Sequence, residues 1–276
     1  MKLEILYPSK ADHRIEELTS SNLSNESKAI TARWYAEMMI KEFLNEHFDG
    51  DEYKGASLKY LIENLTGKVS KKIIDSLRLI KEFGDIASHY NPDKKINLKQ
   101  SQKAVDCAAG LYTLIIIDIL KKKSLLEHPD RATLISVLLP SIRVTILSEL
   151  IQFSSPSQDL ILLKKWCLAC TKAGKSNKAR YMLNQLFKKN QISEAEFLIR
   201  TKDIKIILEK MNSDILPIPK DRSDFARNLA DVIDNHLTGE ESLIINQDLI
   251  KVLKSMAENI SPSNMNHYKG MQIYAL

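Results

Sequence analysis

Residues 73–91 read IIDSLRLIKEFGDIASHYN, and this stretch decides how the rest of the chain is read. At 100° per residue, Ile73, Leu77, Ile80, Gly84 and Ala87 fall on one stripe, which is the buried face of an amphipathic helix. Gly84 and Ala87 are small, so a neighbouring helix can pack close to them. A second stripe carries Arg78, Glu82, Asp85 and His89 at i, i+4, i+7 and i+11. Neighbours on this stripe are in reach of one another, Glu82 of Arg78 and Asp85 of His89. A cation, two carboxylates and an imidazole on one edge suit the orientation of a phosphate, or general acid–base work by His89. A solvated face with ordinary ion pairs has the same spacing, and it is the weightier reading on spacing alone.

Working outward, apolar spacings of three and four continue along most of the chain. They predict helices near 28–48, 56–66, 70–90, 98–123, 130–153, 157–173, 176–190, 193–211, 222–237 and 241–260. Ser70, Ser157, Ser176, Ser193 and Asp221 stand at starts as caps. Pro92, Pro129, Pro156, Pro217 and Pro219 fall between elements, where proline is tolerated. Residues 1–27 are polar and serine-rich, with a short strand expected at Leu3–Tyr7. The fold class is all-α: a helical bundle over residues 28–125, then a second helical, hairpin- or repeat-like domain over 130–276, divided near Glu127–Asp130. Only 8 of 276 residues are glycine, below the usual share of about 7%. Glycine-rich phosphate loops and flexible linkers, which need that backbone freedom, are thereby nearly excluded.

Three cysteines, Cys107, Cys167 and Cys170, are too few and odd in number for a disulfide scaffold. The N-terminal residues show no signal-peptide pattern. The longest apolar run, 111–120, is interrupted by Asp118 and is too short to cross a bilayer. The expectation is a cytoplasmic chain with no membrane partner. Cys167 and Cys170 lack both the further ligands of a zinc site and the βαβ context of a redox site, so they are read as buried thiols. No Walker, dinucleotide, Ser-His-Asp or zincin motif occurs, and no cofactor or metal is expected.

The segment Gly84-Asp85-Ile86-Ala87-Ser88-His89 resembles the glycine–Asn/Asp–small–histidine signature of HEPN-like helical domains. Ala32-Arg33-Trp34-Tyr35-Ala36-Glu37 is similar to that family's first helix, with an arginine and a glutamate four apart. The resemblance covers roughly residues 28–123. It implies an antiparallel bundle of about four helices, homodimers, and a setting in antiviral defence or toxin–antitoxin systems. It also implies that active members are metal-independent ribonucleases with an arginine shortly before the histidine. Here those positions hold Gly84, Phe83 and Glu82. A divergent ribonuclease would use His89, with Asp85 orienting it and Arg78 or Lys81 supplying charge. Without an arginine at the family spacing, nothing obvious stabilises the phosphorane charge. A non-catalytic bundle, with Arg33 and Glu37 as an internal ion pair, is therefore weighed above the ribonuclease.

A second stretch, residues 164–189, holds eight cations and no acid. Lys164, Lys165, Lys172, Lys175, Lys178 and Arg180 are its candidate nucleic-acid contacts, together with the basic loop 172–178 around Gly174. On a helical wheel Lys164, Lys165 and Lys172 share one polar face. The competing reading is a solvated lysine surface balanced by Glu194, Glu196 and Asp203. Trp166, Tyr181 and Phe187 fit the apolar stripe and are expected in the core. The sequence thus leads to a nucleic-acid-associated or protein-interaction module that binds RNA or DNA through 164–189. A ribonuclease and a helical scaffold for a protein partner are the alternatives.

Overall fold

A computed structural model describes residues 7–89, 95–123, 125, 128–151, 160–213, 215–216, 218–237 and 239–257. Most described residues are helical and none forms a strand, so the chain is all-α. No helix among them is long and apolar enough to cross a membrane. The expected strand at Leu3–Tyr7 (Tyr7 excepted), the cap at Ser157 and Pro92, Pro156 and Pro217 lie outside the described residues.

The chain divides into two compact units, Met1–Ile119 and Leu120–Leu276. The first unit holds α1 (Asp12–Thr19), α2 (Asn25–Phe43), α3 (Leu58–Leu65), α4 (Lys71–Ser88) and most of α5 (Leu98–Lys122). The division falls inside α5, ahead of the boundary expected near Glu127–Asp130. Helix α1 occupies what reads in sequence as an irregular polar segment. Its Ile15 and Leu18 are buried, and its Arg14 guanidinium lies 4.5 Å from the Trp34 ring centre on α2. Two buried residues and one cation–π contact give too short an apolar pattern to register as a helix.

Helix α4 buries Ile73, Ile74, Leu77, Ile80, Phe83 and Gly84, while Ala87 is half-buried. It packs chiefly on α2. Ser70 occupies the cap position of α4 but its hydroxyl caps nothing. Asp118, the acid that interrupts the apolar run of α5, instead accepts the Ser70 N–H at 2.8 Å and is itself buried. A carboxylate at a helix N-terminus is favoured by the orphan N–H groups and the helix dipole. Ser24, Ser57, Ser193 and Asp221 do cap their helices through their side chains.

The second unit contains α6 (Pro129–Ser136), α7 (Pro140–Ile151), α8 (Leu160–Lys172), α9 (Ser176–Lys188), α10 (Glu194–Asn212), α11 (Arg222–Asp231), α12 (Glu240–Ile245) and α13 (Gln247–Ala257). The single helix expected over 130–153 is two, because Pro140 lacks the N–H needed to continue α6 and starts α7 instead. The helix expected over 241–260 also breaks, at Asn246, whose amide nitrogen donates to the Ser242 carbonyl at 2.8 Å. The helix expected over 222–237 ends in a π turn at Val232–His236. Fully buried Arg131 on α6 pairs with Asp248 on α13 at 2.6 Å, and Asp130 accepts from Ser242 at 2.5 Å.

Two helical glycines make opposite predictions. A Cβ at Gly84 would stand 2.8 Å from the Arg33 Cβ, whereas one at Gly110 meets nothing within 4 Å. Gly110→Ala should raise the unfolding free energy by up to about 1 kcal/mol through helix propensity. Gly84→Ala should lower it by about 1–3 kcal/mol despite the same propensity gain. Urea unfolding monitored by circular dichroism reads both, and equal signs would refute the close approach.

Candidate nucleic-acid interface

The structure separates the two groups of residues singled out in the sequence. In the first unit, Arg78, Lys81, Glu82 and Asp85 line an open groove of about 490 Å³ with Lys59, Ile62 and Glu63. His89 does not line it. It follows the last turn of α4, where its backbone N–H bonds to the Asp85 carbonyl and its side chain is exposed. Asp85 faces elsewhere: one carboxylate oxygen takes Arg33 at 2.5 Å and the other takes Lys81 at 2.5 Å. Among the described residues no ion pair joins Asp85 to His89 or Arg78 to Glu82. Arg33 also reaches Glu37 at 3.5 Å, as the spacing of four predicts. The groove thus gathers three cations and three acids, with no imidazole among them.

The glycine at position 84 now has a physical reason. Arg33 lies across it, with Cβ, Cδ and Cγ all within 3.3 Å of where a side chain would begin. An arginine there, as the HEPN resemblance would ask, has no room while α2 keeps this distance.

The 164–189 stretch folds as the helical hairpin α8–α9. Gly174 makes the turn at φ +71°, with Lys175 N–H bonded to the Cys170 carbonyl and Gly174 N–H to that of Thr171. This Schellman closure needs a left-handed residue, hence the glycine. Lys175 takes the cap position before α9, and Ser176, expected there, is the first helical residue. Ala179, Leu183 and Leu186 form the inward stripe of α9. Lys175, Lys178 and Arg180 are exposed, as are Lys188 and Lys189, and the Lys178 ammonium lies 5.8 Å from the Trp166 ring centre.

Two expectations are corrected here. Tyr181 is not core: it is 67% exposed, because it sits two residues, about 200°, from inward Ala179. Phe187 is at the rim, stacked on Phe197 at 4.9 Å, and only Trp166 is buried. Nor are Lys164, Lys165 and Lys172 on a solvated face; all three are half-buried. Burial, then the charges of Arg143, Lys165 and Lys210, push the Lys172 ammonium down to about 8. Burial, then Lys164 and Arg143, lowers Lys165 as well. Arg143, on α7, is 8% exposed, and burial pushes its guanidinium down to about 10. Neither Arg143 nor Lys210 stands out in the sequence. The one available signal is a lone arginine inside the apolar run LLPSIRVTIL.

No ion pair to any of the eight cations forms among the described residues. Two of the three acids expected to balance them are committed elsewhere: Arg200 holds Glu196 and Asp203, each at 2.5 Å. Cys167 and Cys170 are free buried thiols, pushed up by burial to about 12 and about 11. No group of three or more His, Cys, Asp or Glu side chains suited to a metal ion occurs among the described residues. Compared with family models, curated proteins and solved structures, the chain has no match in any of the three.

The depressed Lys172 gives a pH prediction. The unfolded chain holds this proton to about 10.5 and the folded chain only to about 8. Between those values unfolding takes up a proton, so stability rises with pH, by at most about 1.4 kcal/mol per pH unit. Below pH 8 the cost of burying the charge is fully present. Lys172→Met should be more stable than wild type at pH 7, and this advantage should fade toward pH 10.5. The thiols and Arg143 are common to both proteins and cancel in the comparison. A constant difference between the two unfolding curves from pH 7 to 10.5 would contradict this assignment.

Proposed function

We propose that this chain is a nucleic-acid-associated helical module that contacts phosphate backbones through the α8–α9 hairpin. The observation that carries the reading is an acid-free stretch on which Lys175, Lys178 and Arg180 are exposed and in no ion pair among the described residues, Lys178 resting over the Trp166 ring. Exposed cations of this kind bind phosphates by releasing counterions, without regard to sequence. Tyr181 adds an exposed aromatic face beside Arg180, the arrangement on which an unpaired base stacks. In the same reading the first unit is a non-catalytic HEPN-like bundle. Support comes from Asp85, held by Arg33 and Lys81 rather than by His89, and from the lack of space for an arginine at position 84. Solvent-exposed Leu198 and Ile199 on α10 favour a second reading, a scaffold for a protein partner.

Fluorescence anisotropy with single-stranded RNA and duplex DNA across a salt series tests the main reading. Affinity should fall steeply with salt. Replacing Lys175, Lys178 and Arg180 together by Gln should reduce the logarithmic salt slope by about two to three. Tyr181→Ala should weaken single-strand binding by about 1–3 kcal/mol and leave duplex binding nearly unchanged. A flat salt response, or a triple variant that binds like wild type, defeats the proposal. RNA incubated with the protein in EDTA should stay intact; cleavage that His89→Ala abolishes would restore the ribonuclease alternative.

A further inference from the structure

The second unit contains a group of cations that surface binding does not explain. Arg143 is 8% exposed, and its Nε is buried with no hydrogen-bond partner. No acid among the described residues pairs with its guanidinium. The helix directions bring further cations to it. Trp166 on α8 donates to Ser148 on α7 at 2.7 Å, while Arg143 influences Lys165 beside Trp166 and Lys172 six residues farther along α8. The two helices therefore run antiparallel, and the start of α7 lies beside the end of α8. Helix α10 runs with α8, since Arg200 and Asp203 flank Cys167 and Lys210 comes to Lys172. Helices α7 and α10 both pack on α8, and Arg143, Lys165 and Lys210 lie close enough to Lys172 to act on its charge, each of the four half-buried or deeper.

Burying one uncompensated guanidinium is costly, and placing like charges around it adds repulsion. The other inward arginines are neutralised: Arg131 by Asp248 and Arg200 by two acids. An anion is the complement that this cluster lacks among the described residues. The Nε of Arg143 is sealed but its terminal nitrogens are not, so the guanidinium can offer a planar fork outward. Forked donors suit an oxyanion with several acceptor oxygens, and flanking ammonium groups suit more than one negative charge.

We infer that Arg143, Lys165, Lys172 and Lys210 form a seat for a phosphate group. This deepens the nucleic-acid reading and rests on it for the source of the phosphate, which is either a strand end or backbone, or a small phosphorylated compound. A bound phosphate offsets the burial and the repulsion that together depress Lys172, and accepts from Arg143.

Isothermal titration of the full chain with inorganic phosphate at fixed ionic strength tests the seat itself. One saturable site is expected. Arg143→Gln and Lys172→Gln should each weaken it at least about tenfold, with Arg143→Lys, which keeps the charge but loses the fork, also weakened. Lys188→Gln, remote from the cluster on exposed surface, should bind as wild type. Circular dichroism confirms that each variant is folded, and the Lys172 and Arg143 substitutions serve as independent checks should one fail to fold. Matched RNA oligonucleotides with a 5′-phosphate or a 5′-hydroxyl identify the source. A preference for the phosphorylated end that Arg143→Gln removes marks a strand end, and equal affinities that both fall in Arg143→Gln mark backbone. Phosphate binding without oligonucleotide binding keeps the seat and removes the nucleic-acid reading. Salt-dependent oligonucleotide binding, with no saturable phosphate site and no effect of Arg143→Gln, removes the seat and keeps that reading.

Discussion

The closest constraint in the first unit is the contact of Arg33 with Gly84 and Asp85. The arginine stem lies where a side chain at 84 would begin, and its head holds the carboxylate one residue on. One residue thereby sets the distance between α2 and α4 and engages the acid that the ribonuclease alternative needs to orient His89. The packing and the chemistry are not separable here. A bundle that closes this tightly needs glycine at 84, and a glycine at 84 leaves no cation beside the histidine. The balanced charge of the neighbouring groove has the same origin, since Lys81 is drawn to the second oxygen of Asp85.

The second unit handles its arginines unevenly. Arg131 and Arg200 sit inside or against the core with acids at hydrogen-bond distance. That is the usual way to keep a partly buried guanidinium, because removing either partner would leave a costly charge. Arg143 has no such partner among the described residues, yet it lies on a helix whose neighbours Ile142, Val144, Ile146 and Leu147 are all buried. A helix apolar on several sides is enclosed on several sides. Any residue at 143 is then drawn inward, and a cation there is a stored electrostatic cost.

The sequence makes the helical class legible because periods of 3.6 persist through α4, α8, α9 and α10, and each begins and ends near its expected limits, whereas α2 starts at Asn25 and stops at Phe43, five residues short of the expected end. What it hides is set by longer-range geometry. Pro140 and Asn246 interrupt patterns that look continuous, since apolar spacing survives a one-residue break in hydrogen bonding. Asp118 looks like a flaw in an apolar run, but it is the group that receives the Ser70 N–H across 48 residues of chain. The six candidate cations of 164–189 read as one charge run. Their division into exposed Lys175, Lys178 and Arg180 and half-buried Lys164, Lys165 and Lys172 follows from what α7 and α10 place beside α8. Arg143 and Lys210 come from outside the run altogether, so no local window could have joined them to it.

That division gives the two sets of cations different physical tasks. Exposed lysines act at a distance set by the Debye length, about 8 Å at physiological ionic strength, and their attraction weakens as salt rises. They favour encounter and impose little geometry, because each ammonium sits on a flexible stem with wide rotamer freedom. A half-buried cluster is screened less and is held by packing, so it imposes position and favours one ligand shape over another. Without the surface set, a seat of this kind would fill slowly. Without the seat, surface lysines would bind any polyanion with little discrimination. The hairpin turn at Gly174 joins the two, since Lys172 ends the helix on the buried side of that turn and Lys175 starts the exposed side. In the proposed reading, a three-residue step along the chain would take a phosphate contact from salt-sensitive capture to fixed placement.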